Sequence, residues 1–310
     1  MVFKKFMAKL GKGAAQVDLV LDQEEYTLGE QVSGELVIQG GTVPQEINGI
    51  DIDFMMSVHT EKQEQTVLIH RFPFPGSFQI QPGERKTLPF SYELPKNLLL
   101  SGYSVSYYFV THLDIAGAVD STDRDPVLIM PPQRLQNIFT ALEQLGFREK
   151  YGSRSFDGYM QEFEFSPTSF LKEEAKELGF VAGMEEEGIR LLLEMDLYSF
   201  TGEQELKREV WIENRVLDDP GQLVPFLRQV LTEMVEHPHS YVHDKQRFYH
   251  HFRHKLSGIT GAVGAFAAGL IAAEAFQDIV EDGFAADFGE GEESDDVGLF
   301  DGLFGGEEDL

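Results

Sequence analysis

Six of the nine histidines crowd together as His237, His239, His243, His250, His251 and His254. On a helix His250 and His254 would share a face, the spacing at which two imidazoles grip one zinc ion. Lys245, Arg247, Arg253 and Lys255 stand among them, however, and cationic neighbours oppose a cation. The favoured reading is surface histidines that are incidental or respond to pH, with a metal site at His250 and His254 as the alternative. Asp51 and Asp53 lie two apart in an extended run and would face the same way. Paired carboxylates suit acid–base work, yet the exposed face of a sheet accounts for both. His59, His70 and His112 are scattered and read as packing or surface residues. The chain has no cysteine, which removes thiolate nucleophiles, cysteine-held zinc and a disulfide framework, and suits a reducing cytosol. It has no P-loop, no Gly-x-Gly-x-x-Gly turn, no Gly-x-Ser-x-Gly elbow and no His-Glu-x-x-His pair. We therefore expect no catalytic residue, no cofactor and no enzymatic activity.

The elements that would position any site begin with a basic N-terminus. Phe3, Phe6, Met7 and Leu10 recur at helical spacing, with Lys4, Lys5, Lys9 and Lys12 on the other side of the wheel. No continuous apolar stretch with a cleavage site marks this as a secretory signal. A short amphipathic helix over 1–13 is expected, with Phe3, Lys4, Lys5, Phe6, Lys9 and Leu10 as its contact residues. It would dock on the acidic body of its own protein or, alternatively, lie on an anionic membrane surface.

From Gln16 to Met130 the pattern is that of strands. Ile50, Ile52 and Phe54 share a face by the period of two, and Gly40-Gly41, Pro73, Pro75 and Pro82-Gly83 punctuate the runs. With no amphipathic helix between them, such strands build an antiparallel sandwich rather than a parallel sheet. After Pro131-Pro132, Leu135, Ile138, Phe139, Leu142 and Leu145 predict a helix over 133–145 that ends at Gly146. Strands are then expected over 156–165, 188–200 and 205–216. A second helical stripe follows, Leu223, Phe226, Leu227, Val230, Leu231, Met234 and Val235, closed by Pro238.

The remaining chain departs from this composition. Residues 256–273 carry no charge and are punctuated by Gly258, Gly261, Gly264 and Gly269. As a helix this run would be about 27 Å long, at the margin of a bilayer core. Its small residues would let another helix approach closely, so self-association is expected, with membrane contact as the alternative. Residues 277–310 hold 13 acidic residues and no basic one. That composition cannot form a core and reads as a disordered tail, either a solvated spacer or a short docking motif. Its charge accounts for much of the net −28 set by 53 acidic against 25 basic residues. Such a field repels phosphate, so no nucleic-acid partner is expected.

Several phrases resemble a known family. Tyr26-Thr-Leu-Gly-Glu-Gln-Val-Ser-Gly-Glu-Leu-Val-Ile and the run from Ile47 to Phe54 resemble the opening of arrestin-like domains. Leu88-Pro-Phe-Ser-Tyr-Glu-Leu-Pro95 and Tyr103 to Val110 resemble later strands of the same lobe. Pro131-Pro132, Ala141 to Phe147, Gln161 to Pro167 and Leu193 to Asp196 are similar to the bacterial sporulation-control branch called SpoOM. The resemblance spans roughly residues 1–237. It implies an all-β chain with two arrestin-like antiparallel sandwich lobes and a non-enzymatic adaptor or regulatory role, and it carries over no catalytic residue.

The expected organisation is a basic helix over 1–13, a first lobe over 14–130, an interlobe helix within 131–150, a second lobe over 151–217, a helical region over 218–276 and an acidic tail over 277–310. The expected partners are other proteins and a second copy of the chain, with an anionic membrane surface as a further one. The expected location is the cytoplasm, with the inner face of the membrane as an attachment point.

Overall fold

The computed structural model describes residues 13–59, 64–74, 76–156, 160–198 and 204–237. All of them fall within one contact unit, residues 1–267. The first lobe contains β1 (Gln16–Leu21), β2 (Glu25–Thr27), β3 (Gln31–Gln39), β4 (Gln45–His59), β5 (Glu64–Phe74), β6 (Phe78–Ile80), β7 (Arg85–Glu93), β8 (Val105–Ile115) and β9 (Ser121–Met130). One sheet has the order β1-β3-β7. The other runs β2-β9-β8-β4-β5, with β6 beside β4. The pairings are antiparallel except β2 with β9, which is parallel.

Alternation in the sequence becomes alternation in burial. Ile50, Ile52 and Phe54 of β4 are buried, as expected from their shared face. Phe54 stacks on Phe109 of β8 at 4.7 Å between ring centres, and Phe90 of β7 meets Phe109 edge-on at 5.4 Å. This aromatic contact joins the two sheets, and edge-on and offset pairs add specificity beyond burial of area.

The second lobe begins with α1 (Gln133–Leu145) and continues with β10 (Phe147–Glu149), β11 (Ser155–Phe156), β12 (Gln161–Pro167), β13 (Ala175–Met184), β14 (Gly188–Leu197) and β15 (Gln204–Glu213). It closes with α2 (Asn214–Leu217) and α3 (Pro220–Glu236). The helix over 133–145 has the expected bounds, and all five residues of its apolar stripe are buried. Gly146 ends it in the left-handed region, φ 90°, where its N–H reaches Glu143 and Leu142 carbonyls. A side chain there would also collide with Ser169.

The expected all-β, arrestin-like antiparallel architecture is what the chain adopts, with one difference of detail. The described strands of the second lobe form a single sheet, order β10-β12-β13-β14-β15 with β11 beside β12. Helices cover its inner face. Phe139 of α1 lies 5.2 Å from Phe163 and 6.0 Å from Phe180, while Leu223, Leu227, Leu231 and Met234 of α3 join the same core. Arg208 of β15 donates to the Val230 carbonyl and to Glu233 of α3, at 3.0 and 2.9 Å. The helix expected to lie between the lobes is thus part of the second lobe's core.

Two other local readings change. Strand β13 is absent from the sequence expectation because Ala175, Gly179, Ala182 and Gly183 dilute its pattern, and Phe180 and Val181 are buried on opposite faces. The strand expected to run to Val216 ends at Glu213, where Asn214 starts the short α2.

Candidate interaction site at the lobe junction

The segment Leu98–Ser104 links the first-lobe strands β7 and β8 and lies against β11 and β12 of the second lobe. Its docking is polar and complete. Gln161 of β12 is buried, and its Nε2 donates to the carbonyls of Leu100 at 2.8 Å and Arg154 at 2.9 Å. Its Oε1 accepts from the Leu100 N–H at 2.8 Å. Ser104 Oγ accepts from the Phe156 N–H, and Ser101 Oγ from the Ile129 N–H, each at 2.8 Å. Tyr107 Oη donates to the Leu99 carbonyl at 2.7 Å. Each of these bonds satisfies a group that would otherwise be buried without a partner.

Arg154 sits at φ 62°, in the left-handed region that a non-glycine residue rarely adopts. Its guanidinium grips Glu149 at 2.8 and 3.1 Å. Gly102 allows the close approach, since a side chain there would strike the Cβ of Arg154.

Beside this seam is an apolar cleft of about 220 Å³, lined by Leu28, Leu98, Leu135, Met160, Phe163 and Met184 among others. Lys96 and Gln161 supply polar points. The volume is below the ~300–1,000 Å³ of ordinary small-molecule sites. It suits a few apolar side chains of a docked segment. Sequence reasoning did not find this cleft, because its walls come from positions spread between Leu28 and Met184.

The strand carboxylates have different surroundings from those expected, whereas the scattered histidines are packing or surface residues as expected. Asp53 is not on an open face: it is 5% exposed, and Arg71 donates to its two oxygens at 2.6 and 2.7 Å. His112 Nε2 lies 3.5 Å from the same carboxylate. A single carboxylate held by an arginine and flanked by a histidine replaces the expected exposed pair with Asp51. His70 is exposed but packs its ring against Phe72 and stacks with Tyr92, at 4.4 and 5.5 Å between centres, and His59 is exposed.

A different acidic cluster occurs where β1 meets β9. Carboxylate oxygens of Asp18, Asp123 and Asp125 lie within 4.8 Å of one another. Burial, reinforced by Asp123 and then Asp18, pushes the Asp125 carboxyl up to about 7. Burial and Asp123 also raise Asp18, against the pull of Arg85. The Asp123-x-Asp125 spacing was visible in the sequence, but nothing in it placed Asp18 alongside.

The other residues singled out from the sequence lie outside the described residues. They are Phe3, Lys4, Lys5, Phe6, Lys9 and Leu10 at the N-terminus, the candidate metal pair His250 and His254, and Gly258, Gly261, Gly264 and Gly269. Among the described residues, no helix is long and apolar enough to cross a membrane.

The chain can now be compared with known proteins. The family described as SpoOM protein matches residues 3–198. The sporulation-control protein spo0M of Bacillus subtilis (strain 168) is 31% identical over 256 residues, covering 76% of this chain and 99% of that one. The crystal structure of Spo0M, sporulation control protein, from Bacillus subtilis matches with a TM-score of 0.55 at 31% identity. That match covers 71% of this chain and 99% of the other.

Proposed function

This chain belongs to the SpoOM family, and we propose that it is a non-enzymatic regulator that works by binding other proteins, as an arrestin-like adaptor in the control of sporulation or a related change of cell state. The family gives the process, since the Bacillus subtilis relative is named for sporulation control. The binding mode rests on the apolar cleft at the lobe junction, where Met184 is 37% exposed beside a rigid polar seam. An apolar cleft on a rigid support takes an extended partner segment at low ordering cost, because the receptor need not rearrange.

The same reading places the chain in the cytoplasm. It assigns self-association to Gly258, Gly261, Gly264 and Gly269, and accessory docking on protein or on anionic lipid to the basic N-terminal segment. Light scattering of wild type against Gly261→Leu/Gly264→Leu checks the self-association, with a loss of native mass as the expected result.

The main test is complementation. A Bacillus subtilis strain lacking its sporulation-control relative is supplied with this chain, and heat-resistant spores are counted. Wild type should shift the count toward that of the parent strain, and Leu28→Glu/Met184→Glu, which charges the cleft, should not. Equal behaviour of the two proteins at equal cellular levels would remove the cleft from the mechanism. Failure of wild type would remove the shared process.

A further inference from the structure

The inward positions of β8 and β9 are mostly apolar. Tyr107, Phe109, Leu113, Val127 and Ile129 are all buried there. Thr111, Asp123 and Asp125 interrupt that surface. Thr111 pairs with Asp123 and Phe109 with Asp125 in the β8–β9 register. By the period of two, these side chains leave the sheet on the same face. Directly paired residues on one face stand about 4.5–5.5 Å apart at Cβ, and diagonal ones somewhat further. The third wall is β1, whose Leu19 N–H donates to Asp123 Oδ2 at 3.2 Å. That contact brings Asp18 to the other two carboxylates.

Two oxygens in this cluster carry the argument further than acidity does. Thr111 is fully buried, and its Oγ1 has no hydrogen-bond partner. Asp125 Oδ2 is also buried without one. Buried polar atoms are nearly always matched, and here the orphan hydroxyl belongs to the residue paired with Asp123 on the same sheet face, while the orphan carboxylate oxygen belongs to the cluster itself. The neighbouring charges that act on Asp125 are both negative, Asp123 and Asp18.

We propose that Asp18, Thr111, Asp123 and Asp125 bind one divalent cation, with Ca²⁺ preferred. Every donor in the set is a hard oxygen, which selects against soft metals. The donors come from three strands, β1, β8 and β9. Ca²⁺ accepts irregular sets of 6–8 oxygens, completed by water, whereas Mg²⁺ demands near-ideal octahedral geometry. Asp18 is exposed, so its side of the cluster supplies the entry path and the place for water. A bound cation would tie β1, an edge of the three-stranded sheet, to β9 of the facing sheet.

The test uses the full chain, stripped with chelator and dialysed. Isothermal titration calorimetry with CaCl₂ should find one saturable site per chain, and the thermal midpoint should rise by several degrees at ~1 mM Ca²⁺. Asp18→Asn/Asp125→Asn should weaken that site by about 10-fold or more and abolish the rise. The double variant keeps the acidic tail, so weak cation uptake by residues 277–310 is common to both proteins. Thr111→Val, which keeps the shape of the side chain, is a second probe, expected to weaken binding by a smaller factor. An identical Ca²⁺ response in wild type and the double variant would overturn the site. A larger rise with MgCl₂ than with CaCl₂ would overturn the choice of Ca²⁺.

Discussion

Gln161 at the lobe junction is a buried polar residue and Asp125 in the first lobe a half-buried one, and their surroundings are opposite. Gln161 makes three hydrogen bonds, to Leu100 N, Leu100 O and Arg154 O. Asp125 faces two other carboxylates, and one of its oxygens is buried with no partner. A fully satisfied buried network rigidifies and specifies an arrangement, whereas a partly satisfied one is costly. The hydrogen-bonded seam beside the cleft is therefore a structural support, and the carboxylate cluster has unused capacity for a ligand. Asp53 falls between them. Its carboxylate is more deeply buried than that of the half-buried Asp125, but Arg71 matches both its oxygens.

The comparison is broken most forcefully at Gln161. Gln161→Ala should leave the Leu100 N–H and the Leu100 and Arg154 carbonyls with no partner, at about 1–3 kcal/mol for each group that water does not reach. Urea denaturation should show a loss of about 3 kcal/mol, and a loss below ~0.5 kcal/mol would mean that the seam holds nothing together. Arg71→Ala comes next. It uncovers a buried carboxylate, but the arginine is 54% exposed, so water shares the load and a smaller loss than that of Gln161→Ala is expected from the same urea denaturation. Asp53→Asn/Arg71→Ala should recover part of that loss.

Asp125 gives a pH effect of the opposite sign from that of a salt-bridged carboxylate. Its folded-state value near 7 lies above the ordinary aspartate value of 3.8, so between about pH 4 and pH 7 the folded state holds a proton that the unfolded state releases. The groups facing it are Thr111, Asp123 and Asp18, with Arg85 acting on Asp18. In chelator, its contribution to stability should be complete below about pH 4 and lost as pH rises through 7. Asp125→Asn should flatten that slope. The same slope in both proteins, measured by urea midpoints at several pH values, would remove Asp125 as its source.

The smallest effect lies outside the two clusters. Lys4, Lys5, Lys9 and Lys12 complement the 13 acidic residues of 277–310, and a clasp between them would consist of exposed pairs worth ~0.2–1 kcal/mol each. Cutting the chain after Gln277 should raise binding to anionic vesicles in low salt by a few-fold, with the difference vanishing at high salt. Unchanged binding at low salt would exclude the clasp.

Much of the fold was legible in the sequence. Alternation exposed most first-lobe strands, and the 133–145 helix was readable to its glycine cap because its stripe, its preceding prolines and Gly146 all agree. Strand β13 was not, since glycine and alanine at four positions of Ala175–Met184 and burial on both faces erase the period of two. The sites were less legible than the fold. Asp53 looked like one of an exposed pair until Arg71, on the neighbouring strand, was seen to cover it.

The sequence by itself determined the element types over most of the described chain, the absence of thiol chemistry and the family, because each depends on local spacing, composition or the order of short phrases. Only the tertiary structure decided which polar groups meet. Gln161 and Leu100 are 61 residues apart, and Leu19 and Asp123 are 104 apart. Contacts at such separations follow from strand register and from the packing of one sheet on another. A shift of one residue would turn Thr111 and Asp123 to opposite faces, so neither the seam nor the carboxylate cluster exists until the whole sandwich has closed.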